Sequence, residues 1–175
     1  MKLHPIQLVL ASVVAGLVWY GVKLKPQQSL QFKQPVGESC SVLRVSDGDT
    51  IAVDCNGKTL KIRFCGMDAP EKSQPMGQDS KQALARLIDG QKVTIKPIET
   101  DRYGRTAAEV WVNHKNLNQQ MIKSGMAYVY DRYVDNCPSK DKLFQAQAIA
   151  QQNKAGVWSK PGLQKPWEYR AAKRK

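Results

Sequence analysis

Short runs of alternating apolar and polar residues dominate the middle of the chain and predict β-strands. These runs fall at residues 41–46, 50–55, 58–65, 92–98 and 106–112. Apolar side chains at every second position share one face of a strand, where they can be buried. The Asn56-Gly57 pair between the second and third runs is a strong signal for a tight hairpin. We therefore expect a sheet of short strands joined by turns.

The third run also indicates where its polar side chains point. Period two places Leu60, Ile62 and Phe64 toward the core and turns Lys61 and Arg63 to the opposite face. Arg63 is therefore expected on a polar face, which acidic side chains can share.

Three stretches have the apolar periodicity of helices. They lie at residues 77–89, 116–124 and 143–153, and a glycine follows each of them within a few positions. Five short strands, with one helix after the third strand and two at the end, predict an α+β protein. The expected architecture is mainly β, a five-stranded OB-fold barrel with three packed helices.

The start of the chain has a different composition from the rest. Residues 6–22 are mostly apolar and carry no charge; an aromatic pair, Trp19 and Tyr20, stands near the end of this stretch, and Lys23 and Lys25 follow it. This pattern predicts a membrane anchor or signal segment at residues 1–25, and an uncleaved anchor is favoured over a cleaved signal. Residues 26–37, rich in glutamine, read as a linker, and the domain is expected at residues 38–159.

Positive charge points to a polyanionic partner. The chain has 27 Lys and Arg against 15 Asp and Glu, a net charge of +12. Nucleic acid and anionic membrane surfaces are the partners that such an excess favours. Residues 160–175 form a basic C-terminal tail, for which a solvated tail is the favoured interpretation and an extra nucleic-acid or lipid contact is the alternative.

Three charged segments carry candidate chemistry. They are Asp47-Gly48-Asp49-Thr50, the stretch from Arg63 to Asp68-Ala69-Pro70-Glu71, and Asp101-Arg102-Tyr103-Gly104-Arg105. Carboxylates can hold a hard cation and activate water, and guanidinium groups can stabilise charge on a phosphoryl group. The combination indicates a site that cleaves phosphodiesters.

In these segments the sequence resembles the staphylococcal-type thermonuclease family. The match covers roughly residues 41–158 and contains D-G-D-T, R-x-x-x-x-D-x-P-E and D-x-Y-G-R in the family's order. The resemblance implies the same OB-fold barrel that the strand and helix pattern predicts. It also implies a calcium-dependent nuclease.

Asp49 and Asp68 are the expected calcium ligands, because calcium takes hard oxygen ligands and accepts loose geometry. The resemblance adds the backbone carbonyl of Ala69, where the family commonly has threonine. Glu71 is the candidate general base, and Pro70 before it restricts the backbone.

Arg63 and Arg105 are expected to grip phosphate oxygens with planar, two-pronged contacts. The resemblance assigns Tyr103 to a terminal phosphate. It also suggests that Tyr128 or Tyr130 contacts the nucleotide; core packing is the alternative for these two residues.

Four cysteines, Cys40, Cys55, Cys65 and Cys137, are spaced too widely for a zinc motif. An even count beside an export or membrane segment suggests disulfides. Folding the first hairpin brings Cys40 nearly opposite Cys55, which leaves Cys65 to pair with Cys137. Free buried thiols are the alternative.

The leading hypothesis is a calcium-dependent nuclease that hydrolyses DNA and RNA with little sequence preference and leaves 3′-phosphate ends. Membrane contact is expected through residues 6–22, with the catalytic domain outside the cytoplasm. No protein partner is indicated, and a monomer is expected. A non-catalytic nucleic-acid-binding barrel is the alternative. A glycosidase, also considered, would leave the arginines without a purpose.

Overall fold

Residues 37–174 are described in a computed structural model of the protein. The predicted anchor and nearly all of the predicted linker lie outside these residues. Within the described range, no helix combines the length and the apolar character needed to cross a membrane.

Within residues 37–174, eight strands build two sheets. They are β1 (Glu38–Val45), β2 (Thr50–Cys55), β3 (Lys58–Phe64), β4 (Met67–Asp68), β5 (Lys92–Thr100), β6 (Thr106–Val112), β7 (Lys115–Asn116) and β8 (Tyr128–Val129). The larger sheet has the order β3-β2-β1-β5-β6-β7, and β4 pairs with β8 in the smaller one. The five long strands correspond to the five predicted ones.

A parallel pairing between β3 and β6 closes the larger sheet into a barrel. It sets Ile62 opposite Thr106 and Arg63 opposite Ala107. All other pairings are antiparallel among the described strands. Closure removes the open edges of the sheet. The predicted five-stranded OB-type barrel is confirmed.

A bulge in β1 interrupts its alternation. Val42 lies opposite Val53 and Arg44 lies opposite Ala52, so Leu43 is an extra residue on this strand. Leu43 is 57% exposed, whereas Val42 and Val45 both pack against the core. The extra residue explains why two apolar side chains three positions apart face the same way.

In the described part of the chain, five α-helices and one 3-10 helix accompany the barrel. They are α1 (Gly77–Ile88), α2 (Leu117–Lys123), α3 (Asp131–Val134), α4 (Lys140–Gln152), the 3-10 helix Gly156–Trp158 and α5 (Pro166–Ala172). The three predicted helices correspond to α1, α2 and α4. Helix α4 begins three residues earlier than predicted, next to Ser139, whose backbone N–H donates to the buried carboxylate of Glu109 at 2.8 Å. Helices α3 and α5 were not predicted.

A buried asparagine joins α2 to the closed edge of the barrel. Asn118 is fully buried, and its amide group donates to the carbonyls of Cys65 (2.9 Å) and Ala108 (3.2 Å). Its side-chain oxygen accepts the N–H of Val110 at 3.0 Å. Because each of these polar groups has a partner, the asparagine can be buried without an unsatisfied donor or acceptor.

Two disulfides cross-link the domain. Cys40 and Cys55 join β1 to β2 with their Cα atoms 4.5 Å apart, and Cys65 and Cys137 are joined with Cα atoms 6.0 Å apart. The pairing agrees with the one expected from the first hairpin. None of the cysteines in the described range is free.

We expect the disulfide that spans the longer stretch of chain to stabilise the protein more. The Cys65–Cys137 bond closes a loop of 72 residues and the Cys40–Cys55 bond one of 15. Chain-entropy arguments assign about 4.4 and about 3 kcal/mol to loops of these lengths. Urea unfolding of the double variants Cys65→Ser/Cys137→Ser and Cys40→Ser/Cys55→Ser measures both losses. An equal loss, or the reverse order, would contradict the expectation.

Candidate active site

A tight turn between β1 and β2 turns Asp49 inward. The backbone N–H of Asp49 donates to the side chain of Asp47 at 3.1 Å, which stabilises the turn. A Cβ atom at Gly48 would lie only 1.9 Å from the hydroxyl of Ser80, so only glycine fits there. The carboxylate of Asp49 is consequently buried, with 2% of the residue exposed.

Arg63 joins two buried carboxylates. One terminal nitrogen of its guanidinium lies 2.6 Å from Asp49 Oδ1, and the other lies 2.6 Å from Asp68 Oδ1. Asp68 is fully buried at the end of β4. The polar face that period two predicts for Arg63 is therefore the face that carries both acids.

The electrostatics of this cluster reflect its burial. Burial raises the pKa of Asp49 to about 8, against the opposing effect of Arg63 and with help from Asp47 and Asp68. Burial also opposes the charge of Arg63, but Asp49 and Asp68 raise its pKa overall. The hydroxyl of Thr50 (2.9 Å) and the N–H of Ala69 (2.8 Å) donate to the two oxygens of Asp49. The cluster therefore favours additional positive charge.

Glu71 lies in the loop after β4, at the mouth of the site. Its backbone N–H donates to Gln74 Oε1 at 2.8 Å. A Cβ atom at Gly77 would lie 2.0 Å from the carbonyl oxygen of Glu71, so the first residue of α1 packs closely against this loop. The side chain of Glu71 is 38% exposed, unlike the two aspartates, and water can reach it.

Arg170 of α5 was not predicted as a site residue. Its guanidinium donates to both oxygens of Asp68, at 3.1 and 2.7 Å, and to Glu71 Oε1 at 2.8 Å. Burial opposes its charge, but Asp68 and Glu71 raise the pKa of Arg170. The favoured interpretation of residues 160–175 as a solvated tail is wrong for this helix, because an ion pair with a fully buried carboxylate holds it.

Arg105 is oriented by the turn before β6. Asp101 accepts the N–H groups of Tyr103 and Arg105, each at 2.9 Å, and the Nε of Arg105 at 2.7 Å. Burial acts against ionisation of Asp101, but these hydrogen bonds lower its pKa overall. The guanidinium also lies 5.4 Å from the centre of the Tyr103 ring, which is largely exposed. The turn thus presents a cation and an aromatic ring together.

The two candidate tyrosines, Tyr128 in β8 and Tyr130 just after it, differ in position. Tyr128 is 3% exposed, and its ring meets Trp158 and Trp167 edge-on. Tyr130 stacks in parallel on Trp167 with ring centres 5.0 Å apart. The structure does not bring Tyr128 to the surface of the site, in agreement with the core-packing alternative, whereas Tyr130 reaches it.

These side chains surround one central groove of about 740 Å³. Its lining includes Arg63, Glu71, Tyr103, Arg105, Tyr130 and Arg170. Arg63, which lines the groove, forms ion pairs with the buried carboxylates of Asp49 and Asp68. Trp167 of α5 also lines the groove and was missed by the sequence analysis.

The donor atoms at Asp49, Asp68 and Ala69 suit a hard cation. Two carboxylates and a backbone carbonyl supply oxygen, the element that calcium prefers, and the burial of Asp49 favours a neighbouring positive charge. Among the described residues, Glu38, Cys40 and Cys55 form a group of three ligand-type side chains within 4.8 Å of one another. Its two sulfurs form a disulfide, which makes it unsuitable for a metal.

A closed OB-type barrel that presents buried acids, guanidinium groups and an aromatic-lined groove has the side-chain chemistry that suits a phosphate ester. A family model described as "Staphylococcal nuclease homologue" matches residues 61–160. The chain belongs to the staphylococcal nuclease family.

Named relatives agree with this assignment. The chain is 36% identical over 140 residues to a protein named micrococcal nuclease from Shigella flexneri, covering 75% of this chain and 79% of that one. It is 32% identical over 160 residues to a thermonuclease from Staphylococcus hyicus, covering 87% and 94%. It is 39% identical over 134 residues to an uncharacterized endonuclease from Haemophilus influenzae, covering 75% and 72%.

Local signals for α5 are present in the sequence. Pro166 stands in the first turn, where its missing N–H costs nothing, and the Glu168 side chain accepts the N–H of Lys165 at 3.2 Å. These features predict a helix start. They do not predict that Arg170 meets Asp68, because that contact depends on the tertiary fold.

We expect Arg63→Met to destabilise the cation-free protein by about 3–5 kcal/mol, because it leaves buried carboxylates with too few positive partners. This loss of stability should grow as the pH rises above about 8, the pKa of Asp49 in the unsubstituted protein. Without Arg63 the folded state keeps the proton of Asp49 to a higher pH, so the stability of the variant continues to fall where that of the unsubstituted protein has levelled off. Urea unfolding in EGTA measures both effects.

Arg105→Met is the matched control. The exposed fractions of the two arginine side chains are similar, 19% for Arg63 and 22% for Arg105, but Asp101 is 23% exposed and Asp49 only 2%. A partly exposed pair contributes at most about 1 kcal/mol. Equal losses in the two variants would show that burial of the acids does not set the cost.

Proposed function

We propose that this protein is a calcium-dependent nuclease that hydrolyses phosphodiester bonds of DNA and RNA with low sequence specificity and leaves 3′-phosphate ends. It is an enzyme, a nuclease of the staphylococcal type. One observation carries the proposal. Arg63 forms ion pairs with both Asp49 and Asp68, and it lines the same groove as Glu71 and Arg105.

The groove suits a nucleic-acid backbone more than a particular base sequence. Arg63 and Arg105 can each offer two N–H groups to a phosphate, a geometry that lysine lacks. Contacts to phosphate position the substrate without selecting bases. Tyr130 and Trp167 offer aromatic faces, and stacking accepts every base. Low sequence specificity follows from these two kinds of contact.

Glu71 is placed to activate water. Its carboxylate is partly exposed at the groove, so a water molecule can lie between it and a bound phosphate. The proton of that water passes to Glu71 while the water oxygen bonds to phosphorus and the bond to the 5′ oxygen breaks. The departing 5′ oxygen takes a proton from solvent water and leaves as a hydroxyl. Arg63 and Arg105 stabilise the negative charge that builds up on the phosphoryl oxygens.

Asp49, Asp68 and the carbonyl of Ala69 are the groups that would hold calcium. Calcium held by these groups would supply positive charge that stabilises the negative charge of the phosphoryl group. The protein's own contribution is a buried pair of acids in a fixed position, since Asp49 directly precedes β2 of the barrel and Asp68 lies in β4 of the smaller sheet.

The proposed location rests on the two disulfides and on the composition of residues 6–22. Two disulfides in a domain of this size indicate an oxidising compartment. We propose that the catalytic domain lies outside the cytoplasm, exported or anchored through residues 6–22. Its partners are then DNA and RNA, and a monomer suffices because the described chain supplies every proposed site residue.

Nicking of supercoiled plasmid by the full chain tests the activity. We expect cleavage with calcium and none with EGTA. Glu71→Gln and Arg105→Ala should each lower the rate about 100-fold or more, since a general base and a charge-stabilising donor contribute on that order. Arg86→Gln, which changes an exposed arginine of α1 outside the groove, should leave the rate unchanged.

Binding without cleavage would support the non-catalytic alternative. In that case the plasmid stays supercoiled with calcium but shifts on a gel, and Glu71→Gln shifts it equally. Full cleavage in EGTA would instead contradict the proposed dependence on calcium.

A further inference from the structure

Arg170 engages two side chains that have separate roles in the proposed function. Its guanidinium reaches both oxygens of Asp68, a proposed cation ligand, and one oxygen of Glu71, the proposed general base. Asp68 is fully buried, whereas the side chain of Arg170 is 35% exposed. The pairing therefore covers two groups that must be available for the reaction.

Every carboxylate oxygen of the two aspartates already accepts at least one hydrogen bond. Asp49 Oδ1 accepts from Arg63 and Thr50, and Asp49 Oδ2 accepts from the N–H of Ala69. Asp68 Oδ1 accepts from Arg63 and Arg170, and Asp68 Oδ2 accepts from Arg170. Each Oδ2 atom keeps a second lone-pair site, but that of Asp68 lies beside the Arg170 guanidinium, whose positive charge opposes a cation there.

Of the two guanidinium groups, that of Arg170 is the easier to displace. Arg63 is part of β3, which pairs with β2 on one side and with β6 on the other, and its side chain is 19% exposed. Arg170 stands on a seven-residue helix outside the barrel and has nearly twice that exposure. Rotation of its side chain alone would free Asp68.

Helix α5 has its own contacts, which would remain when Arg170 rotates. The hydroxyls of Tyr169 and Ser73 lie 2.8 Å apart, and the amide of Gln74 donates to the carbonyl of Gln164 at 3.0 Å. Trp167 stacks on Tyr130. The helix therefore stays beside the Glu71 loop, and a released Arg170 stays at the groove that it lines.

We propose that the guanidinium group of Arg170 exchanges one binding partner for another during the reaction cycle. Without a cation it neutralises Asp68 and Glu71; when a divalent cation binds Asp68, Arg170 is released and binds a phosphate of the nucleic acid. The proposal rests on the nuclease function proposed above. It predicts that Arg170 weakens cation binding in the absence of substrate and strengthens substrate binding once the cation is present.

Charge supports this exchange. Asp49, Asp68 and Glu71 carry three carboxylates, and Arg63 and Arg170 are the two guanidinium groups paired with them. A divalent cation replaces the charge that Arg170 supplies, after which the guanidinium has lost its strongest partner. A phosphate then offers the bidentate contact that Arg170 made with Asp68.

Calorimetric titration of the full, oxidised chain with calcium chloride tests the first half. We expect Arg170→Gln to bind calcium about tenfold more tightly than the unsubstituted protein, because a charge-assisted contact with a buried carboxylate no longer competes. Arg170→Lys, which keeps the charge but cannot reach two oxygens in one plane, should give an intermediate affinity.

Arg174→Gln is the matched control, since it removes the same charge one turn later on the same part of the chain. Arg174 lines the groove but has no side-chain contact with the acids among the described residues. We expect its calcium affinity to change less than threefold. An equal gain in both variants would mean that Arg170 acts only through long-range charge, which overturns the exchange.

Steady-state cleavage of a single-stranded oligonucleotide at saturating calcium tests the second half. We expect Arg170→Gln to raise KM about fivefold with kcat nearly unchanged, as for a contact made equally in the ground and transition states. An unchanged KM, or calcium affinity that is unchanged or weaker in an active Arg170→Gln enzyme, overturns the proposed role of Arg170. Absence of both calcium binding and cleavage in the unsubstituted protein overturns the proposed function as well.

Discussion

Two carboxylates buried beside each other, Asp49 and Asp68, require positive charge, and much of the site is arranged to supply it. Their residues are 2% and 0% exposed, so water cannot screen them. Arg63 supplies positive charge from a strand of the barrel, and Arg170 supplies it from a helix outside the barrel. A divalent cation would satisfy the same requirement. The free-energy cost of burying these two charges therefore affects both the stability of the cation-free protein and its affinity for calcium.

Barrel closure gives the acids and arginines their common position. The β2–β3 hairpin places Arg63 opposite Thr50, next to Asp49, and the parallel β3–β6 pairing places it opposite Ala107, two residues after Arg105. Strands from distant parts of the sequence thus bring their polar residues to one rim. Loops then supply Glu71 and Tyr130, whose positions depend on Gln74 and Trp167.

Sequence alone was sufficient where the determining interactions are local. Alternation and the Asn56-Gly57 turn located the strands, and the motifs that resemble the family predicted Asp49, Arg63 and Glu71 as site residues. The bulge at Leu43 and the parallel pairing of β3 with β6 are not visible in periodicity. Periodicity does not reveal the role of Arg170 either, because this residue lies 102 residues from Asp68 and 99 from Glu71 in the sequence. The composition of its segment predicts exposure to solvent. Tyr128 and Tyr130 have the same local pattern, and only tertiary packing separates the buried ring from the accessible one.

The most direct test of the site as a hydrolytic centre is mass spectrometry of a defined DNA oligonucleotide cleaved by the protein with calcium in water enriched in oxygen-18. Attack by water beside Glu71, with loss of the 5′ oxygen, predicts one heavy oxygen in a 3′-phosphate and a 5′-hydroxyl on the other fragment. Heavy oxygen in a 5′-phosphate, or an intact oligonucleotide, would contradict the assignment of Arg63, Glu71 and Arg105 to this reaction.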